Sequence, residues 1–308
     1  MSGKGADASA RAALGLALLG CPACAAKLSP LGEGDLSCTG CSAEYPVVAG
    51  VPILVVDPVG YMAEHRTSLL AALAELTDCS PVDVATVERW ARRRPVTTQR
   101  FFDDDFTRDE EHAVTTPLVA EDAHFAAFVA SAAATTPLDR LLELHGRPLG
   151  RTVEVGCGAG NASAALAASS DGLVMVDRSF RAVLIARERA EASPRPVVAA
   201  VMDAEQLALR EGACETLVAL HLVDVLADPL AFLEGALASL ARRGTLLLST
   251  PDPALGMPDG PADVLAQVAA DAGFEVTGRA DFVPWLRVHS PRELQVFFVQ
   301  LLALVRPR

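Results

Sequence analysis

Missing from this chain of 308 residues is any apolar run near the ~20 residues that a bilayer-spanning helix needs, so a membrane span is not expected. Basic residues are in deficit, with 26 Lys and Arg against 39 Asp and Glu, for a formal net charge of -13. Such a chain repels phosphate backbones in bulk, which argues against a nucleic-acid substrate unless a local basic patch overrides the average. The seven cysteines lack the even spread of a secreted disulfide scaffold, and a reducing, cytoplasmic setting is expected. No internal repeat is seen. What the chain does have is apolar content, 51%, enough for a sizeable core, and length for one large domain plus a small one. Leu18-Leu19-Gly20-Cys21 has the look of a lipoprotein cleavage site. Its apolar run is short, however, Asp7 sits where the leader should be basic, and Cys21 has a better use in a metal knuckle.

Four cysteines fall in two close pairs, Cys21-Pro-Ala-Cys24 and Cys38-Thr-Gly-Cys41, thirteen residues apart. Two intervening residues let both thiolates of a knuckle reach one ion, and two knuckles complete a tetrahedral Cys₄ site of the closed, structural kind. Zn²⁺ is the expected ion. The competing reading, two redox CxxC motifs, lacks a thioredoxin-like βαβ context.

Three segments follow from composition and periodicity. Residues 14–57 read as short strands and knuckles. Residues 58–150 read as mainly helical, with helices over Met62–Leu76, Pro81–Arg94, Ala120–Ala134 and Leu138–His145. Within them a charged stretch, Asp103 to Glu111, is interleaved by Phe101, Phe102 and Phe106; it reads as a solvated loop or as a lid. Residues 151–308 alternate strand and helix, which predicts an α/β fold with a doubly wound, Rossmann-like sheet, preceded by the ribbon and the helical insertion.

The motif Val153-Glu154-Val155-Gly156-Cys157-Gly158-Ala159-Gly160 follows a predicted strand and opens a helix. Its glycines permit a sharp turn and close approach of backbone to a ligand, a feature that nicotinamide and flavin sites share. Three carboxylates sharpen the picture: Glu154 two residues before the first glycine, Asp177 with Arg178 ending the next strand, and Asp203-Ala204 ending the third. A carboxylate at the second position accepts both hydroxyls of a ribose.

This order resembles the class I S-adenosylmethionine-dependent methyltransferases over residues 151–308. The resemblance implies that Glu154, Gly156, Cys157, Gly158, Gly160, Asp177, Arg178, Asp203, Ala204 and His221 line an S-adenosyl-L-methionine site. Glu154 would order the loop and contact the methionine end, and Asp203 the adenine amino group. Cys157 reads as a small apolar filler beside the cofactor. Leu207-Ala-Leu209 departs mildly from the family pattern, as does Glu215 at the start of the fourth strand. Residues 14–57, with the CPxC knuckle and the tail Tyr45-Pro-Val-Val-Ala-Gly-Val-Pro-Ile-Leu54, resemble the Trm112-like zinc-ribbon family. That family's members often act as separate activators of methyltransferases, which implies a supporting role for the metal ligands Cys21, Cys24, Cys38 and Cys41.

Candidate bases are fewer. His221 follows the fourth strand, as a cofactor-edge residue through its backbone, a base, or a structural histidine. His289 lies in Pro284-Trp285-Leu-Arg287-Val-His289, between the last two predicted strands; Trp285 and His289 either line an acceptor pocket or form a β-turn. No Asn-Pro-Pro-Tyr-type tetrapeptide supports nucleobase amino methylation, and no cysteine is placed for covalent pyrimidine chemistry. The leading expectation is N- or O-methylation of a small-molecule acceptor, with oligomeric state open. The alternatives are an RNA base methyltransferase, favoured if Arg92, Arg93, Arg94 and Arg100 form a basic stripe, and a non-catalytic cofactor-binding scaffold.

Overall fold

The computed structural model describes residues 3–32, 34–96, 98–100, 136–254, 264–290 and 293–307, without the side chains of 3–7, 287–290 and 293–294. The charged stretch 103–111 and the expected helix 120–134 lie outside the described residues.

The N-terminal part holds helix α1 (Gly3–Leu18), a three-stranded antiparallel sheet of β1 (Leu28–Leu31), β2 (Asp35–Cys38) and β3 (Glu44–Tyr45), and a hairpin of β4 (Val47–Val48) and β5 (Val51–Leu54). Among the described residues four helices follow: α2 (Pro58–Glu64), α3 (Arg66–Ala74), α4 (Pro81–Ala91) and α5 (Pro137–His145). Their starts are written in the sequence. Asp57, Ser80 and Thr136 each cap a helix that has Pro in its first turn, and Thr136 forms a reciprocal capping box with Asp139. Gly146, at φ 64°, closes α5 in the left-handed conformation.

Strand and helix then alternate: β6 (Arg151–Val155), α6 (Ser163–Ser169), β7 (Gly172–Asp177), α7 (Phe180–Ala190), β8 (Val197–Met202), β9 (Cys214–Leu220), α8 (Pro229–Ser239), β10 (Leu240–Thr250), α9 (Val264–Asp271), β11 (Glu275–Ser290) and β12 (Glu293–Val305). The large sheet runs β11-β12-β10-β9-β6-β7-β8-β5-β4. Strands β5 to β10 that neighbour one another within it, β4–β5 aside, pair in parallel, and β12 runs antiparallel to both β10 and β11. Strand order reverses between β6 and β9, which opens a crevice at the carboxyl ends of those strands, where doubly wound sheets bind ligands.

Three expectations are revised. The N-terminal stretch contains the helix α1, although it reads as helix-poor; its Leu14 and Leu18 are buried. The helix expected over Met62–Leu76 starts at Pro58 and breaks at His65, whose φ of -103° ends α2. Pro284–His289 is not a link between strands: it lies within β11, in register with β12 from Pro284↔Phe298 to Val288↔Leu294, so the β-turn reading fails.

Strand β5, which follows the two cysteine knuckles, joins the large sheet beside β8 and carries β4 at its edge. Ile53 and Leu54 pair in parallel with Val201 and Met202 of β8. All four residues of β5 are buried, as a strand covered on both faces requires. The two parts also share side chains. Leu14, Leu18, Cys21, Leu28, Cys38 and Tyr45 join Val153, Val174, Ala200, Met202 and Leu217 in one apolar core. Around it, the Arg89 guanidinium grips the nearly buried Asp35 of β2 at 2.8 and 3.2 Å, and the Trp90 indole N–H donates to the same carboxylate at 3.4 Å. Arg187 donates to the Ala49 carbonyl, and the Ala49 N–H to Asp83. The chain leaving α1 is tied down by Gly20 N–H to the Ala208 carbonyl and Arg210 N–H to the Leu18 carbonyl, both 2.8 Å.

Candidate functional site

The two cysteine knuckles meet. One sulfur from each of Cys21, Cys24, Cys38 and Cys41 lies within 4.8 Å of all the others. Cys21 and Cys41 are 3.6 Å apart, and Cys24 and Cys38 3.4 Å. A tetrahedral zinc with Zn–S bonds of about 2.3 Å spaces its sulfurs about 3.8 Å apart, so this donor set fits the ion. Backbone N–H groups already face the sulfurs: Ala23 towards Cys21, Gly40 and Cys41 towards Cys38, at 3.2–3.4 Å. The hydroxyl of fully buried Tyr45 lies 3.0 Å from the Cys21 sulfur. These donors suit thiolates. A Cβ at position 40 would come 2.8 Å from the Ala26 Cβ, so the second knuckle closes only with glycine there.

The second constellation sits at the carboxyl ends of β6, β7 and β8. The loop 156–160 turns sharply, with Gly156, Gly158 and Gly160 at φ 69°, 50° and 86°. Gly156 and Cys157 donate to the Val176 carbonyl, and Gly160 donates to the Cys157 carbonyl at 2.9 Å. Gly160 also lets α7 approach, since a Cβ there would meet the Ala186 Cα at 2.6 Å. The Gly158 N–H donates to Asp177 Oδ2, and the Ser179 N–H to Asp177 Oδ1, both at 2.9 Å. Loop and second-strand carboxylate are thus one hydrogen-bonded unit. Burial pushes the Asp177 carboxyl up, against the pull of those two donors.

Glu154 is 3% exposed and accepts from the Ser163 hydroxyl at the start of α6. Burial, with the Asp177 charge adding to it, pushes its carboxyl up to about 8. Glu154 is therefore no solvated strand end. Asp203 accepts from the Glu205 N–H at 3.0 Å and caps a short turn that carries half-buried Ala204. Cys157 is buried, and burial raises its thiol well above the ordinary range, as suits an apolar filler. Arg178 is exposed on the turn after β7.

Across the crevice, His221 follows β9 at a left-handed φ of 54°. Its N–H donates to the Ser249 carbonyl at 2.9 Å, and its Nδ1 lies 3.2 Å from the Ser249 hydroxyl. The Trp285 ring stacks on the imidazole at 3.7 Å between centroids and 12° between planes, and Phe297 packs on Trp285 at 4.9 Å. Burial takes His221 down to about 4, so it is neutral near pH 7. The structure thus pairs Trp285 with His221; His289 lies four residues along β11, and its side chain is outside the described residues. Nearby, Thr250 Oγ1 donates to Asp224, whose carboxyl burial raises, with the Asp252 charge acting in the same direction.

Sequence reasoning missed Ser163, Ser249 and Tyr61. Ser163 begins α6 nine residues after Glu154, a spacing readable once the strand–loop–helix is recognised. Tyr61 donates its hydroxyl to the Arg178 carbonyl at 2.8 Å across 117 residues, and no local pattern announces that contact. The arginines whose basic stripe would favour the RNA alternative each face a carboxylate: Arg92 faces Glu88, Arg93 faces Glu44 and stacks on Trp90, Arg94 pairs with Asp57, and Arg100 with Glu64. Among the described residues no helix is long and apolar enough to cross a membrane.

Comparison with known proteins places these features in context. Residues 125–297 match a family model described as a methyltransferase domain. No curated protein sequence matches the chain. Solved structures with a similar fold include a putative methyltransferase from Bacillus halodurans, at 16% identity over 55% of this chain and 99% of that one, TM-score 0.44. The N-methyltransferase NodS from Bradyrhizobium japonicum in complex with S-adenosyl-L-homocysteine is 18% identical over 64% of this chain and 98% of that one, TM-score 0.46. A complex between the Haloferax volcanii Trm112 methyltransferase activator and a putative methyltransferase aligns at 19% identity over 55% and 92%, TM-score 0.41.

Proposed function

Because this chain belongs to the methyltransferase-domain family and is a class I S-adenosylmethionine-dependent enzyme, we propose that it methylates an N or O atom of a small-molecule acceptor and carries a structural zinc ribbon of the Trm112-like kind. The observation that carries the reading of the site is the convergence of the Gly156–Gly160 loop, Asp177, Asp203 and Glu154 on one strand-end crevice.

When bound, S-adenosylmethionine supplies a methyl group activated by a sulfonium. The residues of the chain hold and orient it. Asp177 offers about four lone-pair positions; the Gly158 and Ser179 N–H groups take two and the Arg178 N–H also faces the carboxylate, and its remaining acceptor capacity suits a ribose diol. Glu154, short of donors in its buried position, suits the cationic amino group of a methionine moiety. Asp203 and Ala204 serve the adenine edge. Gly156, Gly158 and Gly160 bring the backbone close, and Cys157 fills space.

His221 and Trp285 form a wall of the acceptor side, fixed by Ser249. An imidazole that titrates near 4 is a weak proton acceptor at neutral pH, so His221 shapes the pocket and positions the acceptor. Asp224, with its raised carboxyl at the same strand ends, is the better placed group to take a proton. Methyl transfer needs little more than in-line alignment of acceptor and sulfonium. The engagement of Arg92, Arg93, Arg94 and Arg100 in ion pairs supports a small acceptor over RNA.

Transfer of radiolabelled methyl from S-adenosylmethionine to a panel of small amines and hydroxylated compounds, run beside total RNA, tests the reading. Label entering a small compound and lost in Asp177→Asn is the expected result. Label entering RNA alone would overturn the choice of acceptor.

A further inference from the structure

Three residues separate helix α2 from β5, the strand by which the N-terminal segment joins the large sheet. The helix start is fixed twice, by Asp57 accepting from the Gly60 N–H at 2.9 Å and by the ion pair of Asp57 with Arg94. One turn into that helix stands Tyr61, half-buried and tilted against His65 at 4.7 Å. Its hydroxyl donates to the Arg178 carbonyl at 2.8 Å, and the Phe180 N–H faces the same oxygen. Tyr61 therefore bridges both ends of the turn Arg178-Ser179-Phe180, which leads directly out of Asp177. The Ser179 N–H held within that turn donates to the Asp177 carboxylate, which the Arg178 N–H of the same turn also faces. A further donor, the Gly158 N–H, comes from the glycine loop.

We infer that Tyr61 is a positioning residue for the cofactor's ribose: from the helix that follows the ribbon, it locks the β7–α7 turn so that Asp177 presents its free lone pairs to the two hydroxyls. This rests on the reading of Asp177 as the ribose ligand. The chemistry is that of preorganisation. A neutral hydroxyl that bonds the Arg178 carbonyl, at the one exposed residue of a turn whose Ser179 and Phe180 are buried, removes alternative backbone conformations before the ligand arrives. Part of the ordering cost of binding is then met by the N-terminal segment. The loss of one such hydrogen bond, worth about 0.5–1.5 kcal/mol, corresponds to a roughly 2–10-fold weaker affinity.

Titration calorimetry on the full chain with two probes tests this: S-adenosylhomocysteine, and its analogue lacking the 2′ and 3′ hydroxyls. Tyr61→Phe keeps the ring and removes only the hydroxyl. The expected result is a dissociation constant raised roughly 2–10-fold for S-adenosylhomocysteine and unchanged within about 2-fold for the dideoxy analogue. Equal weakening of both ligands marks a merely structural role and overturns the inference, as does no weakening of either. Asp57→Ala, which loosens the start of α2, is the second variant and is expected to show the same selectivity for the hydroxylated ligand; loss of both affinities alike counts against the inference. Asp177→Asn is run alongside. If it binds S-adenosylhomocysteine like the parent chain, the ribose reading itself has failed, an outcome separate from any behaviour of Tyr61.

Discussion

Glu154 makes the sharpest prediction, because it is a nearly buried carboxylate whose partner is the single hydroxyl of Ser163. Its carboxyl titrates near 8 in the folded chain, against an ordinary value of 4.5, with burial the principal cause. Between those values the folded chain holds a proton that the unfolded chain has released. Stability in the absence of ligand therefore falls as pH rises from about 4.5 to 8 and levels off beyond. A difference of about 3.5 units is worth at most about 5 kcal/mol at 1.36 kcal/mol per unit. Glu154→Gln keeps the shape and an acceptor for Ser163 but cannot ionise. At pH 5 the variant should match the parent in urea unfolding. At pH 8.5 it should be the more stable of the two, by about 1–5 kcal/mol, with a flatter curve between. It should also bind S-adenosylhomocysteine more weakly, since it offers no charge to the ligand's amino group. Parallel pH–stability curves for the two proteins would refute the reasoning, because the buried ionisation would then cost nothing.

Three further predictions follow from geometry described above. Gly160→Ala drives a Cβ to 2.6 Å from the Ala186 Cα at a φ of 86°, so a loss of about 2–4 kcal/mol in denaturant unfolding is expected, together with lost cofactor affinity. Asp35→Ala leaves Arg89 and the Trp90 indole N–H without their shared acceptor and should cost about 2–4 kcal/mol, read as a lowered denaturation midpoint. Removal of zinc with a strong chelator should lower the melting temperature of the whole chain, since structural zinc contributes on the order of 10 kcal/mol to the folding of small ribbons, and Cys38→Ser should reproduce the loss without chelator; a melting temperature indifferent to both would exclude a structural metal.

What the sequence made legible was local. The CxxC pairs declare a four-sulfur cluster by spacing alone, and the strand–glycine loop–helix with Asp177 and Asp203 declares the crevice, because each lies at the end of a strand whose apolar run is unmistakable. Helix boundaries at Pro81 and at Pro137–Gly146 were readable from caps. What was not legible depends on distant partners. Pro52 and Gly50 make the 47–56 stretch look like a broken edge, yet β5 is buried on both faces because β8, about 150 residues later, pairs with it. For Trp285 the sequence left an acceptor-pocket residue and a β-turn residue equally open; pairing with Phe297 of β12 holds it in a strand and sets it on His221. The bond from Tyr61 to Arg178 belongs to the same class.

That late pairing of β5 has a consequence for synthesis. The N-terminal segment leaves the ribosome well before the strand that β5 must join, with Ile53 and Leu54 meanwhile lacking Val201 and Met202 of β8. At about 5–20 residues per second, the roughly 150 residues up to Met202 take on the order of 10–30 s. For that interval the nascent chain carries a short strand, paired with β4 on one side and open on the other, of the kind that invites pairing with other chains. An ion captured early by the four cysteines, which are arranged to hold one, would keep the two knuckles together through the wait, while the free side of β5 stays open to other chains until β8 arrives.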